Sequence, residues 1–262
     1  MKIFFCIICL SAHVILAAQN LNAYEKHYFD APLLNMPYRY MRPQHAEPSK
    51  KYPLLIFLHG ANHRGFDNER PLLIGGAFFS RDSIRNKYNS YILFPQCPEI
   101  DTWAYFETTS DPNTGKVTAI NFPFKKQPTD VSLVLMQLLD SLIKSDAIDP
   151  NRIYIAGLSQ GGMGVLDLIA RYPEKFAGAV SMCGAGDVTT AKHFAQKVPL
   201  WLFHGEKDDV IPVDFSRSYF KRLTRLHAEV KYTEYPGVFH NCWINAFKAA
   251  DWVDWLYHWH KS

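Results

Sequence analysis

The sequence predicts an α/β fold with a mainly parallel central sheet and helices on both faces. Short, continuous apolar runs recur along the 262 residues, as expected of strands that are covered on both sides. Between them lie segments such as 130–143, whose apolar residues follow three- and four-residue steps and so share one helix face. No internal repeat or linker divides the sequence, so one domain is expected.

The first predicted strands lie at 38–41, 53–58 and 91–94. In the first, the character of the side chains alternates from one residue to the next ahead of Pro43. The other two are apolar runs that end at His59-Gly60 and at Pro95. From Pro95 to Pro128 the chain carries five prolines, which limit regular structure. A loop of this length is either a lid or wall of a functional site or a mobile surface insertion, and the sequence leaves both open.

Beyond this stretch, helices alternate with strands, which predicts right-handed βαβ units. In chain order these elements are an amphipathic helix over 130–143 capped by Thr129 or Asp130, a turn at 149–151, an apolar strand at 152–156, a helix over 161–172 stopped by Pro173, strands at 177–181 and 199–203, a helix over 215–226, an alternating edge strand at 229–234, and an aromatic-rich helix over 244–258.

Residues 1–23 are predicted to be a secretory signal peptide. Lys2 precedes an apolar stretch that is interrupted by His13 and is too short for a membrane span of about 20 apolar residues. Cleavage after Ala18 or Ala23 fits the small residues there, and Ala23 is favoured. We therefore expect a secreted or periplasmic protein with no stable membrane insertion after cleavage. An uncleaved membrane anchor is the alternative.

The composition excludes several classes of protein and partner. With 15% aromatic and 20% charged residues, the chain is not typical of a disordered protein. A net charge of +3 without any run of five like charges argues against a nucleic-acid partner. Beyond the leader, Cys97, Cys183 and Cys242 lack the spacing of a zinc site. Either Cys183 and Cys242 brace a loop as a disulfide, or all three cysteines stay reduced.

Residues 157–161, Gly-Leu-Ser-Gln-Gly, lie directly between a predicted strand and a predicted helix. This is the context of a G-x-S-x-G nucleophile elbow, a sharp turn that exposes the serine and requires glycine two residues before and two residues after it. The helix that follows offers unpaired N–H groups to a developing negative charge. Ser159 is therefore a candidate nucleophile. The alternative is a glycine-rich turn without chemistry.

Two later segments supply an acid and a base. Asp208 and Asp209 follow strand 199–203, and neighbours on an extended chain point opposite ways, so only one can face inward. Asp187 is a weaker third candidate. His240, on the loop after the last strand, can take the proton of Ser159. The order Ser, Asp, His is that of the α/β-hydrolase arrangement.

A fourth segment, residues 59–61, follows strand 53–58. In this arrangement an N–H of the early loop and the N–H after the nucleophile bind the oxyanion, and here these belong to Ala61 and Gln160. His59 is expected to hold the loop. The chemistry calls for no metal and no organic cofactor.

With these motifs, the chain resembles the α/β-hydrolase superfamily, and within it the secreted esterase and predicted-peptidase group. That group borders dienelactone hydrolases, feruloyl and acetyl-xylan esterases and polyhydroxybutyrate depolymerases. The resemblance covers 54–61, 94–98, 149–154, the elbow, 171–177, 201–212 and 235–243. It implies an α/β-hydrolase catalytic domain over 24–262 and selects Asp208 over Asp209. The chain departs from the group at Asn62-His63, Phe239 and Cys242.

The resemblance and the motifs together predict a serine esterase that acts on acyl esters of carbohydrates or related small esters. A serine peptidase or amidase with the same residues is one alternative, and a secreted binding protein without activity is another. Trp103 and Trp243 are expected to contact the substrate, although an aromatic cluster such as that of 95–128 is more often a local packing cluster than a binding site. The oligomeric state is left open.

Overall fold

The computed structural model describes residues 21–114 and 117–261. The strands are β1 (Glu25–Asp30), β2 (Asn35–Met41), β3 (Tyr52–Leu58), β4 (Tyr91–Pro95), β5 (Glu107–Ser110), β6 (Val117–Asn121), β7 (Ile148–Leu158), β8 (Gly178–Met182), β9 (Leu200–Gly205) and β10 (Val230–Tyr235). The α-helices are α1 (Gly76–Phe79), α2 (Asp82–Tyr88), α3 (Asp130–Ser145), α4 (Gln160–Arg171), α5 (Ala191–Phe194), α6 (Asp214–Arg225), α7 (Trp243–Ala249) and α8 (Asp251–His258).

Eight strands form one sheet in the order β1-β2-β4-β3-β7-β8-β9-β10. From β4 to β10 every neighbouring pair is parallel. At the other edge, β2 pairs antiparallel with both β1 and β4. The predicted α/β fold with a mainly parallel sheet is therefore confirmed.

The sheet is covered on both faces, which explains the continuous apolar runs of its central strands. Leu54, Ile56 and Leu58 of β3 point into one core layer, with the apolar faces of α3, α4, α5 and α6. Leu55 and Phe57 point into the other, with α1, α7 and α8. Alternate residues of a strand face opposite sides, so a strand between two helical layers is apolar at every position.

The predicted helix over 130–143 is observed as α3. Its N-cap is Thr129, whose hydroxyl accepts the N–H of Ser132 at 3.4 Å, and Asp130 lies in the first turn. A carboxylate there interacts favourably with the positive end of the helix dipole.

The predicted turn at 149–151 lies inside β7. Tyr52 of β3 pairs with Ile148 and Leu54 pairs with Ile153, so residues 149–152 face Pro53 alone. Pro53 has no N–H to donate to a neighbouring strand. The extra residues of β7 therefore form a bulge, in which Asp149 accepts the N–H of Asn151 at 2.9 Å.

The predicted helix over 244–258 is two helices, because Ala250 interrupts it in a left-handed conformation with φ of 57°. The irregular stretch 95–128 contains the antiparallel hairpin β5–β6, which the sequence did not predict. Ala104 and Phe122 of this stretch are buried against Met163, Ala185 and Ile211. Part of this stretch therefore packs against residues that follow the carboxyl ends of β7, β8 and β9.

Residues 1–20 of the predicted leader lie outside the described residues, whereas Leu21–Ala23 form a short 3-10 helix. Leu21 and Ala23 pack against the core layer of α1, α7 and α8. No helix in the described ranges is long and apolar enough to cross a membrane.

Candidate active site

Four neighbouring strands end at the same level, and this brings the chemical loops together. Leu58 of β3 pairs with Gly157 of β7, and Leu158 pairs with Met182 of β8, which pairs with Phe203 of β9. The carboxyl ends of parallel strands meet at one edge of a sheet, where open α/β proteins bind their ligands. The loops that carry Ser159, Asp208 and His240 all leave from this edge.

Ser159 sits on a strained turn between β7 and α4. Its φ of 54° and ψ of −120° lie outside the regions that non-glycine residues usually adopt. A Cβ on Gly161 would lie 2.1 Å from the carbonyl oxygen of Leu58, and a Cβ on Gly157 would lie 2.6 Å from the backbone of Gly161. Both glycines are therefore required for the approach of α4 to β3.

The structure brings Ser159, Asp208 and His240 within hydrogen-bond distance of one another. Nε2 of His240 lies 2.9 Å from Oγ of Ser159. Nδ1 of His240 lies 2.7 Å from Oδ2 and 2.9 Å from Oδ1 of Asp208. Because the carboxylate accepts at Nδ1, that nitrogen carries the proton, and Nε2 is free to accept the serine hydroxyl proton.

Asp208 is the acidic residue that reaches His240, whereas the side chain of Asp209 is exposed and Asp187 accepts the N–H of Thr189. The Asp208 carboxylate is fully buried. Burial alone would raise its pKa, but hydrogen bonds from His204 and His240 and from the Ile211 N–H outweigh burial and hold the pKa well below its usual range.

The His240 ring is held in a partly buried position between Asp208 and Ser159. Burial alone would lower the pKa of His240, but the hydrogen bond to Asp208 outweighs it, and the pKa is raised. Trp243 lies beside the ring, with the two centroids 5.7 Å apart and nearly perpendicular planes. The expected base is therefore oriented by both a carboxylate and an aromatic side chain.

The loop after β3 lies against the elbow. A Cβ on Gly60 would lie 3.6 Å from Cβ of Ser159. In the described part of the chain, the N–H groups of Ala61 and Gln160 donate no hydrogen bond. Two backbone donors without partners beside a serine are what an oxyanion hole requires.

His59 holds this loop, as the sequence predicts. Its Nδ1 donates to the carbonyl of Gly60 at 2.8 Å, and its Nε2 accepts the N–H of Cys97 at 3.0 Å. Burial lowers the pKa of His59 to about 3, so the ring is neutral. The loop is therefore tied to the end of β4 by one side chain.

Of the two tryptophans expected to contact the substrate, Trp103 lies in the core beneath the loop of His59 and not at the surface of the site. It is fully buried, and its Nε1 donates to the carbonyl of His59 at 3.1 Å. Trp103 therefore supports the loop from below and presents no surface to a ligand. Trp243 is half-buried beside His240, where it borders the site.

Two further residues lie near the site: Cys183, which the sequence placed there only as one end of the disulfide alternative, and His204, which was not singled out from the sequence. The Sγ of Cys183, a carboxylate oxygen of Asp208 and a ring nitrogen of His240 lie within 4.8 Å of one another. A metal ion bound through Nδ1 of His240 would have to displace the hydrogen bond between that nitrogen and Asp208. The second residue is His204, whose signal in the sequence is a histidine inside an otherwise apolar strand.

A surface groove of about 560 Å³ lies at the opposite edge of the sheet, among residues such as Asn151, His227 and Trp259. Its lining residues include none of the three brought together at the carboxyl edge. The groove is therefore separate from the candidate site.

Comparison with known proteins gives matches over most of the chain. A family model described as phospholipase/carboxylesterase matches residues 45–257. Acyl-protein thioesterase 1 of Yarrowia lipolytica is 25% identical over 215 residues, which cover 77% of this chain and 89% of that protein. The uncharacterized peptidase YuxL of Bacillus subtilis is 23% identical over 237 residues, 77% of this chain. This match spans only 33% of the length of that peptidase.

Solved structures agree with these matches. A thermostable esterase aligns with a TM-score of 0.82 and 32% identity over 92% of this chain and 64% of that one. A ferulic acid esterase aligns with a TM-score of 0.65 over 90% of this chain and 98% of that one, but at 15% identity it supports the fold alone.

Proposed function

The chain belongs to the phospholipase/carboxylesterase family of α/β-hydrolases, and on this premise we propose that it cleaves carboxylic esters through a Ser159, His240 and Asp208 triad. The observation that carries the proposal is the position of His240, which contacts the Ser159 hydroxyl through one ring nitrogen and the Asp208 carboxylate through the other. A hydroxyl is a weak nucleophile unless a positioned base takes its proton.

In the proposed reaction, Oγ of Ser159 attacks the ester carbonyl while Nε2 of His240 takes the hydroxyl proton. Asp208 keeps the ring in the required tautomer and stabilises the imidazolium. His240 then protonates the leaving alcohol, and an acyl group remains on Ser159. Water, activated by the same histidine, releases the acyl group as a carboxylic acid.

The N–H groups of Ala61 and Gln160 bind the oxyanion of each tetrahedral intermediate. Both N–H groups belong to backbone segments that are held in place. His59 holds the first segment through its hydrogen bond to Gly60, and the close packing of Gly157 and Gly161 holds the second. Removing one donor of this kind typically costs about 3 kcal/mol of transition-state stabilisation.

We propose acyl esters of carbohydrates or related small esters as substrates, and export directed by residues 1–23. The names of similar proteins support an ester substrate, since a thermostable esterase is 32% identical over 92% of this chain and acyl-protein thioesterase 1 matches 77% of it. A peptidase activity is the second candidate, favoured by the match to a protein named as an uncharacterized peptidase.

Labelling with a fluorophosphonate probe tests the nucleophile. We expect covalent labelling of the unmodified protein, no labelling of Ser159→Ala, and full labelling of Ser218→Ala, since Ser218 is exposed on α6. Labelling that persists in Ser159→Ala would exclude Ser159 as the nucleophile.

Parallel assays with nitrophenyl acetate, a feruloyl ester and a peptide anilide separate the two candidate activities. We expect ester turnover without measurable amide turnover, and loss of ester turnover in Ser159→Ala. Amide turnover that exceeds ester turnover would favour the peptidase. No turnover of either class by a labelled, folded protein would contradict both.

A further inference from the structure

The Asp208 carboxylate lies between two histidines. On one side is His240, and on the other is His204 of β9, whose side chain is fully buried. Nε2 of His204 lies 3.1 Å from Oδ2 of Asp208 and 3.0 Å from the carbonyl oxygen of Ile211. Its Nδ1 lies 2.7 Å from Oγ of Ser216 on α6.

These neighbours determine where the His204 proton lies. Nε2 faces a carboxylate oxygen and a carbonyl oxygen, and both can only accept, so Nε2 carries the proton. Nδ1 is held at 2.7 Å by the Ser216 hydroxyl, which can donate or accept. His204 therefore directs its Nε2–H toward the acid, and Ser216 of α6 holds the other ring nitrogen.

The two oxygens of Asp208 are held differently. Oδ1 accepts the N–H groups of Val210 at 3.0 Å and Ile211 at 2.8 Å, besides Nδ1 of His240. Oδ2 faces Nδ1 of His240 and Nε2 of His204, and in the described ranges these are its two donors. His204 is thus the group that fixes the oxygen closest to the base.

We propose that His204 is a positioning residue for the reaction: its Nε2–H orients Oδ2 of Asp208 toward His240, in a hydrogen-bonded series that runs Ser216, His204, Asp208, His240, Ser159. This inference rests on the proposed function, because it assigns His204 a role in a reaction that Ser159 performs. An orientation error of about 1 Å in a catalytic group can cost about 100-fold in rate.

The surroundings of His204 separate this role from simple packing. For a buried histidine that only fills space, the Ile211 carbonyl at 3.0 Å would satisfy Nε2–H by itself, and leucine would replace the ring at some cost in stability. Here the ring supplies a donor to a buried carboxylate. Within the described ranges, the other titratable groups near the pair include Cys183, within 4.8 Å of the Asp208 carboxylate, and Glu234 of β10, which lies in register with His204.

The experiment compares His204→Gln with His204→Leu in the full-length protein. The glutamine amide can place an N–H near the position of Nε2, whereas leucine cannot donate. For His204→Leu we expect kcat to fall about 10- to 100-fold with KM within about twofold. A less firmly held Asp208 stabilises the imidazolium less, so the pKa of His240 falls and the acid limb of the pH–rate profile moves to lower pH. His204→Gln should recover most of kcat and the original acid limb.

If His204→Leu does not fold, Ser216→Ala tests the same series with the ring in place. We expect several-fold lower kcat, a lower-pH acid limb and a shifted low-field proton resonance of His240 Nδ1–H, with little change in melting temperature. The inference is overturned if folded His204→Leu, or Ser216→Ala in its place, keeps both kcat and the acid limb, or if His204→Gln matches His204→Leu.

The failure of this inference and that of the proposed function are distinguishable. If fluorophosphonate labelling does not depend on Ser159, the proposed function fails. If labelling depends on Ser159 and the His204 and Ser216 variants behave like the unmodified enzyme, only the role of His204 fails.

Discussion

Asp208 and Asp209 are adjacent, carry the same functional group and lie in opposite surroundings. The first is buried and accepts hydrogen bonds from two histidines and two backbone N–H groups, whereas the second is exposed. Because only a buried, oriented carboxylate can stabilise an imidazolium, the two residues form a natural pair for comparison.

We expect Asp208→Asn to lower kcat about 1,000- to 10,000-fold, because an amide favours the wrong His240 tautomer and carries no charge. The measurement is steady-state ester hydrolysis, with the melting temperature as a check on folding. Asp209→Asn is the matched control and should keep kcat within about twofold. Equal losses in the two variants would contradict the choice of Asp208.

Single aromatic residues show the limit of sequence reasoning at this scale. Trp103 and Trp243 both lie in candidate site loops, yet Trp103 is buried beneath the loop of His59 and Trp243 lies beside His240. Depth of burial depends on tertiary contacts, which the residue type alone does not encode. The contact between His204 and Asp208 was missed for the same reason, since it also needs α6 in place.

At the scale of elements, the junction between β3, β7 and α4 is the tightest part of the site. The backbone of Leu58 and His59 lies against the first turn of α4 at Gly161. Any side chain there must push the helix away from the sheet, and the helix begins at Gln160, directly after the candidate nucleophile Ser159.

We expect Gly161→Ala to lower the free energy of unfolding by about 3 kcal/mol or more, since backbone atoms cannot yield to the new Cβ. This corresponds to a melting temperature about 6–12 °C lower for a domain of this size. Gly237→Ala is the control: its φ is 71°, but its Cβ would meet nothing within 4 Å. That variant should lose only about 1–2 kcal/mol. Equal melting curves for the two variants would contradict the assigned role of the junction.

The elements that were predicted correctly have strong local signals, and those that were missed have none. The central strands are apolar throughout because two helical layers cover them, so their runs are visible in the sequence. Strand β5, by contrast, reads Glu-Thr-Thr-Ser and is exposed along its length. Strand β5 is held in an extended conformation by its pairing with β6 in a separate two-stranded sheet. The break at Ala250 was invisible because alanine is a strong helix former.

At the scale of the molecule, the convergence of the candidate site residues could be predicted because topology does most of the assembly. Residues 59–61, 157–161, 208 and 240 are distant in sequence but follow parallel strands, whose carboxyl ends lie together. The order of these segments was therefore enough to place them at one edge. The distances between side chains, and the packing of 95–128 against that edge, required the folded chain.

The three cysteines of the described residues are free thiols, and all are buried. Burial raises the pKa of the Cys97 and Cys183 thiols, so the reactive thiolate is scarce. We expect N-ethylmaleimide to label none of the three in the native protein and all three after unfolding without reductant, as read by peptide mass spectrometry. A peptide pair joined through Cys183 and Cys242 would instead support the disulfide alternative.

The edge strand β10 bears on how the protein behaves at high concentration. Among the described residues no strand pairs with its outer side, and such an edge is a template for strands of other molecules. The strand carries Lys231 and Glu234, and the Lys231 ammonium lies 3.6 Å above the Trp201 ring. A second molecule that added a strand here would have to desolvate these charges. The same edge that completes the sheet therefore discourages sheet-to-sheet polymerisation.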